Sequence, residues 1–269
     1  MARSPRRPLA TGARFWQTDA MAQIGSWIGT LAFSVVFTFL LCLFDLLLRL
    51  ATPLGRRAIE RVGVVFQRCL VATYRLAGVR ISLEISPGFE PGRSYVALSN
   101  HQSMFDIPLL AWAMPRNFPK YISKRSLARW IPGISYNLRH GGHALIDRSD
   151  RDSAVRAIHS LARAVVENGS TAVIFPEGTR RRDGAMAPFK PAGTLALLDG
   201  APEAPVLPIC IHNSWRIMEN ELRPIPRGIH LRMWIGAPLE RSPGEDRMAL
   251  MRCAEEQIRT TLERFRSLD

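Results

Sequence analysis

The chain has 269 residues, 47% hydrophobic and 22% charged, which excludes a disordered or low-complexity chain and leaves room for one large folded domain. Its formal net charge of +13 calls for a negatively charged partner: nucleic acid, an anionic membrane surface or a phosphorylated substrate. Four widely spaced cysteines with no CxxC pair exclude a disulfide framework or a zinc site and fit reduced thiols on the cytoplasmic side.

Residues 1–19 form a basic tail with Arg3, Arg6, Arg7 and Arg14. From Ala20 to Phe44 come 25 residues without a charge. As a helix they would reach roughly 38 Å, more than the bilayer's hydrocarbon core of about 30 Å. The run is too long for a signal peptide, and no small-x-small cleavage site follows it. Residues 20–50 are therefore predicted to be membrane-embedded. Arg49, Arg56, Arg57 and Arg61 balance the arginines in front, so charge makes no choice of orientation. A spanning helix and a re-entrant helical hairpin both remain open.

Residues 51–78 are predicted to form a second helix, with Thr52-Pro53 as its start and Gly78 as its stop. On a helical wheel Arg57, Arg61, Arg68 and Arg75 fall within about 40° of each other, beside Val62, Val65, Phe66, Cys69, Leu70 and Val71. Such a stripe suits either anionic headgroups or a solvated face of a core helix.

From residue 79 to 269 short apolar runs alternate with amphipathic stretches. Strands are predicted at Arg80–Ile85, Tyr95–Leu98, Tyr121–Ser123, Ala144–Ile146, Thr171–Phe175, Val206–Ile211 and Ile229–Ile235. Helices are predicted at Asp152–Asn168 and about Gly244–Ser267, with another starting near Asp106 ahead of Pro108. This alternation predicts an α/β domain with a mixed, largely parallel sheet flanked by helices, and places the chemistry in loops after strands.

Two such loops carry the informative residues. The first is Asn100-His101-Gln102-Ser103-Met104-Phe105-Asp106. His101 and Asp106 would point about 140° apart on one helix, so they can pair only if His101 lies in the loop and Asp106 opens the helix. A carboxylate on an imidazole makes a general base near neutral pH. The bland reading is a loop histidine and a helix cap. The second loop is Phe175-Pro176-Glu177-Gly178-Thr179-Arg180, in which a glycine, a hydroxyl and a guanidinium suit a phosphate monoester. Its bland reading is a solvated basic turn. His140 and His143 form an HxxH without a further ligand at metal spacing, so no metal is expected.

Together these loops resemble the 1-acylglycerol-3-phosphate acyltransferases. The family's Asn-His-x4-Asp motif is matched by Asn100, His101 and Asp106, and Phe-Pro-Glu-Gly-Thr-Arg by Phe175 to Arg180. Gly142–Arg148 is similar to the second motif, which ends in arginine, and Val206-Leu207-Pro208-Ile209 to the fourth. The sequence departs at Pro188-Phe189-Lys190, where Pro191-Ala192 intervenes before Gly193, and in a stretch Leu197–Pro205 longer than usual.

The resemblance implies acyl transfer from acyl-CoA or acyl carrier protein to the sn-2 hydroxyl of 1-acylglycerol 3-phosphate, with no cofactor and no covalent acyl-enzyme. His101 and Asp106 would be the base, Arg180 and Arg148 the phosphate ligands. Gly178, with Thr179 and with Lys124 as a further candidate, would stabilise the oxyanion, and Glu177 would order the loop. The expected partners are the lysophospholipid, the acyl thioester and an anionic membrane, with the active site at the cytoplasmic face of the inner membrane. An acceptor such as glycerol 3-phosphate or another lysolipid is the alternative. A serine hydrolase is disfavoured because no G-x-S-x-G occurs and Ser103 stands too close to His101. A nucleic-acid module is disfavoured because the basic stripe follows a membrane segment.

Overall fold

The computed structural model describes the backbone of residues 12–147 and 149–269, with side chains from residue 21. The remainder of the basic tail and Arg148 lie outside the described residues. Seven strands form one sheet: β1 (Arg80–Ile85), β2 (Val96–Ser99), β3 (Lys120–Lys124), β4 (Ala144–Ile146), β5 (Ala172–Ile174), β6 (Val206–His212) and β7 (His230–Ile235). Their order is β1-β7-β6-β2-β5-β3-β4. Neighbours pair in parallel except β6 with β7, where Cys210 faces Trp234 antiparallel, so the sheet is mixed and largely parallel, as predicted.

Strands β2 and β6 are buried along their whole length, as apolar strands covered on both faces must be. Side-chain alternation sorts them into two cores. Val96, Leu98, Val206 and Cys210 pack with Ile158, Leu161, Leu197, Ile258 and Leu262 on one face. These last residues come from α5 (Arg151–Glu167), α6 (Pro191–Gly200) and α7 (Arg247–Arg266). Ala97, Leu207, Ile209 and Ile211 face the other way, toward Phe33, Tyr74, Phe105 and Leu109. Pro191 is the first residue of α6, so the two residues that depart from the family pattern go into starting that helix.

The second face is covered by α3 (Asp106–Ala113) and by an antiparallel pair, α1 (Gly12–Ala51) and α2 (Arg56–Thr73). Phe44 of α1 stacks on Phe66 of α2 at 4.9 Å, while further along Phe33 lies 6.4 Å from Tyr74. The N-terminal apolar segment is thus one arm of a helical hairpin. The predicted start of the second helix is corrected: Thr52–Leu54 is a single 3-10 turn, Gly55 breaks the chain at φ +87°, and α2 begins at Arg56. The helix also buries more than a stripe reading allowed. Glu60 and Gln67 lie inside with Ile59, Phe66 and Leu70, while Arg61, Arg68 and Arg75 stay exposed. Glu60 accepts from the buried Lys120 ammonium at 2.7 Å and from Arg57 at 3.1 Å, fastening α2 to β3.

Between Gly25 and Ala51 α1 is held side-on against the domain: Thr30 Oγ1 accepts from the backbone N–H of Ile225 at 2.9 Å, and Phe33, Phe44 and Leu48 are buried. Its other side exposes Ile24, Trp27, Ile28, Leu31, Val35, Phe39, Leu46 and Leu50, at the three- and four-residue steps of one helical face. Met21–Leu54 is long and apolar enough to cross a membrane, yet only 17% of its most apolar window is buried.

Candidate active site

Strands β2, β5 and β6 end side by side, and the loops after them build the site. Asn100 fixes the first loop to the strand beside it. Its amide donates to the Ile211 carbonyl and its carbonyl accepts from the Ile211 N–H, both at 2.8 Å. The chain then turns so that Asp106 is the first residue of α3, with Pro108 in that helix's first turn, where no N–H is needed.

This turn brings His101 onto Asp106. The imidazole Nδ1 lies 2.8 Å from Oδ2 of Asp106, which also accepts the N–H groups of Gln102 at 2.8 Å and Ser103 at 3.0 Å. Ser214 donates its hydroxyl to Oδ1. The carboxylate is wholly buried, while 16% of the histidine side chain is exposed. With its charge met by four donors, the carboxylate holds the imidazole proton on Nδ1, which leaves Nε2 as the basic nitrogen. The ring is kept flat by Phe175, stacked 3.9 Å away at 16°.

Glu177 ties the second loop to the first. One carboxylate oxygen accepts the His101 backbone N–H at 2.7 Å, and the other accepts from Ala187 at 2.8 Å. Burial pushes this carboxyl's pKa up, and the two N–H bonds and nearby cations pull it back. The His101 carbonyl accepts from the Arg181 N–H at 2.8 Å. Gly178 sits at φ +74°, open to glycine at little cost, and donates its N–H to the Phe175 carbonyl at 3.0 Å. Beyond it Thr179 and Arg180 are exposed. A side chain at Gly178 would stand 3.3 Å from the Lys190 ammonium, so this cation joins Arg180 over the loop.

The structure therefore gathers His101, Asp106, Glu177, Gly178, Thr179 and Arg180. Lys124 ends β3, on the far side of β5, and has Asp147 as an electrostatic neighbour; among the described residues no hydrogen bond joins it to the dyad. Ser103 accepts from the Phe105 N–H at 3.2 Å as a turn cap and is buried. The HxxH histidines are apart in role. His143 accepts the Tyr121 N–H at 3.0 Å, and burial, with help from Lys120 and Arg56, depresses its pKa to about 3. His140 stacks on Tyr136 at 4.3 Å. Among the described residues there is no cluster of metal-binding side chains.

Sequence reasoning missed three residues. Ser214 and Gln102 meet at 3.2 Å through the Ser214 N–H and the Gln102 carbonyl oxygen, across 112 positions of sequence. The third is Lys190, which the sequence marks only by a departure from the family pattern. Its place directly after a proline-aromatic pair was the available signal.

A buried carboxylate behind a part-exposed imidazole, beside a glycine turn rich in cations, is equipment for activating a hydroxyl next to an anionic group. Comparison with known proteins agrees. Residues 80–212 match the family model described as Acyltransferase. A 1-acyl-sn-glycerol-3-phosphate acyltransferase from Cocos nucifera is 33% identical over 132 residues, 49% of this chain and 42% of the relative. The enzyme of that name from Salmonella typhimurium is 26% identical over 188 residues, covering 70% of this chain and 74% of the relative. The chain spans about half the length of the plant relatives it matches, 42% and 52% for two of them. The crystal structure of the 1-acyl-sn-glycerophosphate acyltransferase PlsC from Thermotoga maritima superposes with a TM-score of 0.74 over 91% of this chain and 98% of that one, at 22% identity, a likeness of fold. The chain is thus similar to the 1-acyl-sn-glycerol-3-phosphate acyltransferases, and the acyltransferase match spans just under half of it.

Proposed function

We propose that the protein transfers a fatty acyl group from acyl-CoA or acyl carrier protein to the free sn-2 hydroxyl of 1-acylglycerol 3-phosphate, giving phosphatidate. The observation that carries this reading is the His101–Asp106 pair at 2.8 Å, part-exposed and fastened through Glu177 to the Phe175–Arg180 loop.

The geometry supports the following steps. Nε2 of His101 takes the proton of the acceptor hydroxyl as its oxygen attacks the thioester carbonyl. Asp106 stabilises the resulting imidazolium through Nδ1. The tetrahedral oxyanion would be met by Thr179 beyond the Gly178 turn, since the Gly178 N–H is spent on the Phe175 carbonyl. Its collapse re-forms the carbonyl and expels the thiolate, which takes the proton back from Nε2. No acyl-enzyme and no cofactor is needed, because a thioester is already activated. General-base catalysis contributes about 10²–10⁴-fold, and positioning and charge stabilisation supply the remainder. Arg180, with Lys190 and Arg148, would hold the acceptor phosphate bidentately or as point charges.

A lipid acceptor must reach this site from a bilayer, and the hairpin supplies the attachment. A helix bound side-on to the domain from Gly25 to Ala51, with an apolar face on the opposite side, supports a re-entrant placement in one leaflet over a spanning one. The site would then sit at the cytoplasmic face of the inner membrane. Membranes containing the protein, given labelled 1-acylglycerol 3-phosphate and an acyl-CoA, should form phosphatidate, and His101→Ala membranes should not. Equal product from both would refute the base assignment. No product from either, with acyl carrier protein thioesters also inert, would refute the acceptor; glycerol 3-phosphate and other lysolipids would then be tried.

A further inference from the structure

The segment between β3 and α4 (Ile134–His140) carries the most exposed large apolar side chain among the described residues, Trp130, with 89% of its surface open. Leu127 beside it is also exposed. An indole in that position is uncommon on a face turned to water, since tryptophan contributes the largest apolar surface of any side chain.

The exposure is built into the loop. The Ser135 hydroxyl donates to the Leu127 carbonyl at 2.7 Å and accepts from the Ile131 N–H at 2.9 Å, which ties the two ends of the turn together. Ala128 is buried beneath it. Trp130 is thus held outward by a closed turn.

Charge and position say what it faces. From Lys120 to Ile146 the sequence has five basic residues and no carboxylate. Lys120 is turned inward onto Glu60, whereas Lys124, Arg125, Arg129 and Arg139 are exposed; Asp147, the next residue after this run, neighbours Lys124 and Arg125 and leaves Arg129, beside Trp130, without that offset. The turn is docked on the apolar hairpin. The Gly133 N–H donates to the Asp45 carboxylate of α1 at 2.9 Å, and a side chain at Gly133 would strike both the Leu41 carbonyl and the Phe66 ring at 2.9 Å. Gly133, at φ +67°, lets the loop approach α1 this closely.

We propose that this loop is a second contact with the lipid bilayer, with Trp130 seated in the interfacial zone and Lys124, Arg125 and Arg129 on anionic headgroups. Tryptophan favours that zone because its ring is apolar and its N–H is not, and each basic residue near an anionic surface adds attraction that salt screens. The inference rests on the hairpin's placement in the bilayer. It adds a separate point of attachment on the α/β domain, which sets how the whole molecule is turned about the α1 axis relative to the bilayer.

The test uses the full chain reconstituted in vesicles of phosphatidylcholine and phosphatidylglycerol whose acyl chains are brominated, with tryptophan emission as the readout. Trp27 on α1 serves as the internal reference. The quenched emission should fall in Trp27→Phe and fall again, independently, in Trp130→Phe. The Trp130 contribution should be lost in Arg125→Gln/Arg129→Gln. Quenching unchanged by Trp130→Phe but reduced by Trp27→Phe would overturn the loop contact and leave the hairpin placement standing. Quenching unchanged by both would overturn the two together. All four side chains are exposed, and circular dichroism of each variant checks the fold.

Discussion

Ser214→Ala tests whether the dyad is held from behind by a residue 108 positions away from it in sequence. Ser214 and Asp106 are both wholly buried, so no water takes the place of the lost hydroxyl without a cavity rearrangement. The other carboxylate oxygen has three donors, His101, Gln102 and Ser103, whereas Oδ1 has the Ser214 hydroxyl. Removing a hydrogen bond to a buried charge costs about 1.5–3 kcal/mol. For a domain of this size that is a fall in thermal midpoint of roughly 3–12 °C, taking about 2–4 °C per kcal/mol. The imidazole keeps its own bond to Oδ2, so turnover should fall several-fold, less than the loss expected when the base itself is removed. The KM for the acceptor should stay as it was. Ser214→Thr, which keeps the hydroxyl, should recover both the midpoint and the turnover. Thermal melts in detergent micelles alongside steady-state acyl transfer would measure this. An alanine variant with wild-type midpoint and kcat would refute the account of how Asp106 is held.

Glu177→Gln can accept only one of the two N–H groups that the carboxylate bridges and must point an amide donor at the other, so about 3 kcal/mol of stability and at least tenfold of turnover should be lost; a variant as stable as wild type would show that the bridge is unimportant. Arg180→Ala should raise the KM for the phosphorylated acceptor by roughly 10–100-fold, the equivalent of one charge-assisted bond, with kcat less affected; an unchanged KM in steady-state assays would remove Arg180 from the phosphate site. His143, with a folded pKa of about 3 against about 6.5 for the unfolded side chain, stays neutral in the fold while the unfolded chain takes up a proton. Its contribution is therefore complete above about pH 6.5 and declines as the pH falls toward about 3. Urea midpoints across that range should flatten in His143→Gln, whose amide oxygen still accepts the Tyr121 N–H; an identical slope would exclude His143 as its source.

The strand pattern was legible because each strand is a short apolar run set between polar turns. All seven lie within a residue or two of their predicted positions, from Arg80–Ile85 to His230–Ile235. Propensity alone favoured a continuous helix from Thr52, but Gly55 at φ +87° ends the first turn so that α2 can fold back along α1. Helix α4 was not visible because it is short and depends on the Gly133–Asp45 contact across 88 positions. The burial of Glu60 could not be read locally, since it depends on the long-range pairing with Lys120 of β3 as well as on the neighbouring Arg56 and Arg57. In the site, the dyad and the Phe175–Arg180 loop could be read from local spacing. Ser214 could not, since its relation to Asp106 depends on β6 lying next to β2.

The ring of Phe105, the residue just before the dyad's aspartate, is packed by Phe33 at 5.9 Å and Phe37 at 6.0 Å from α1 and by Tyr74 at 5.4 Å, and its carbonyl accepts the Tyr74 hydroxyl at 3.1 Å. The apolar helix α1 is consequently not detachable from the site. Cutting the chain after Ala51 to obtain a water-soluble fragment would strip two rings from the wall behind Asp106, and grafting the catalytic domain onto a foreign anchor would do the same unless Phe33 and Phe37 travelled with it.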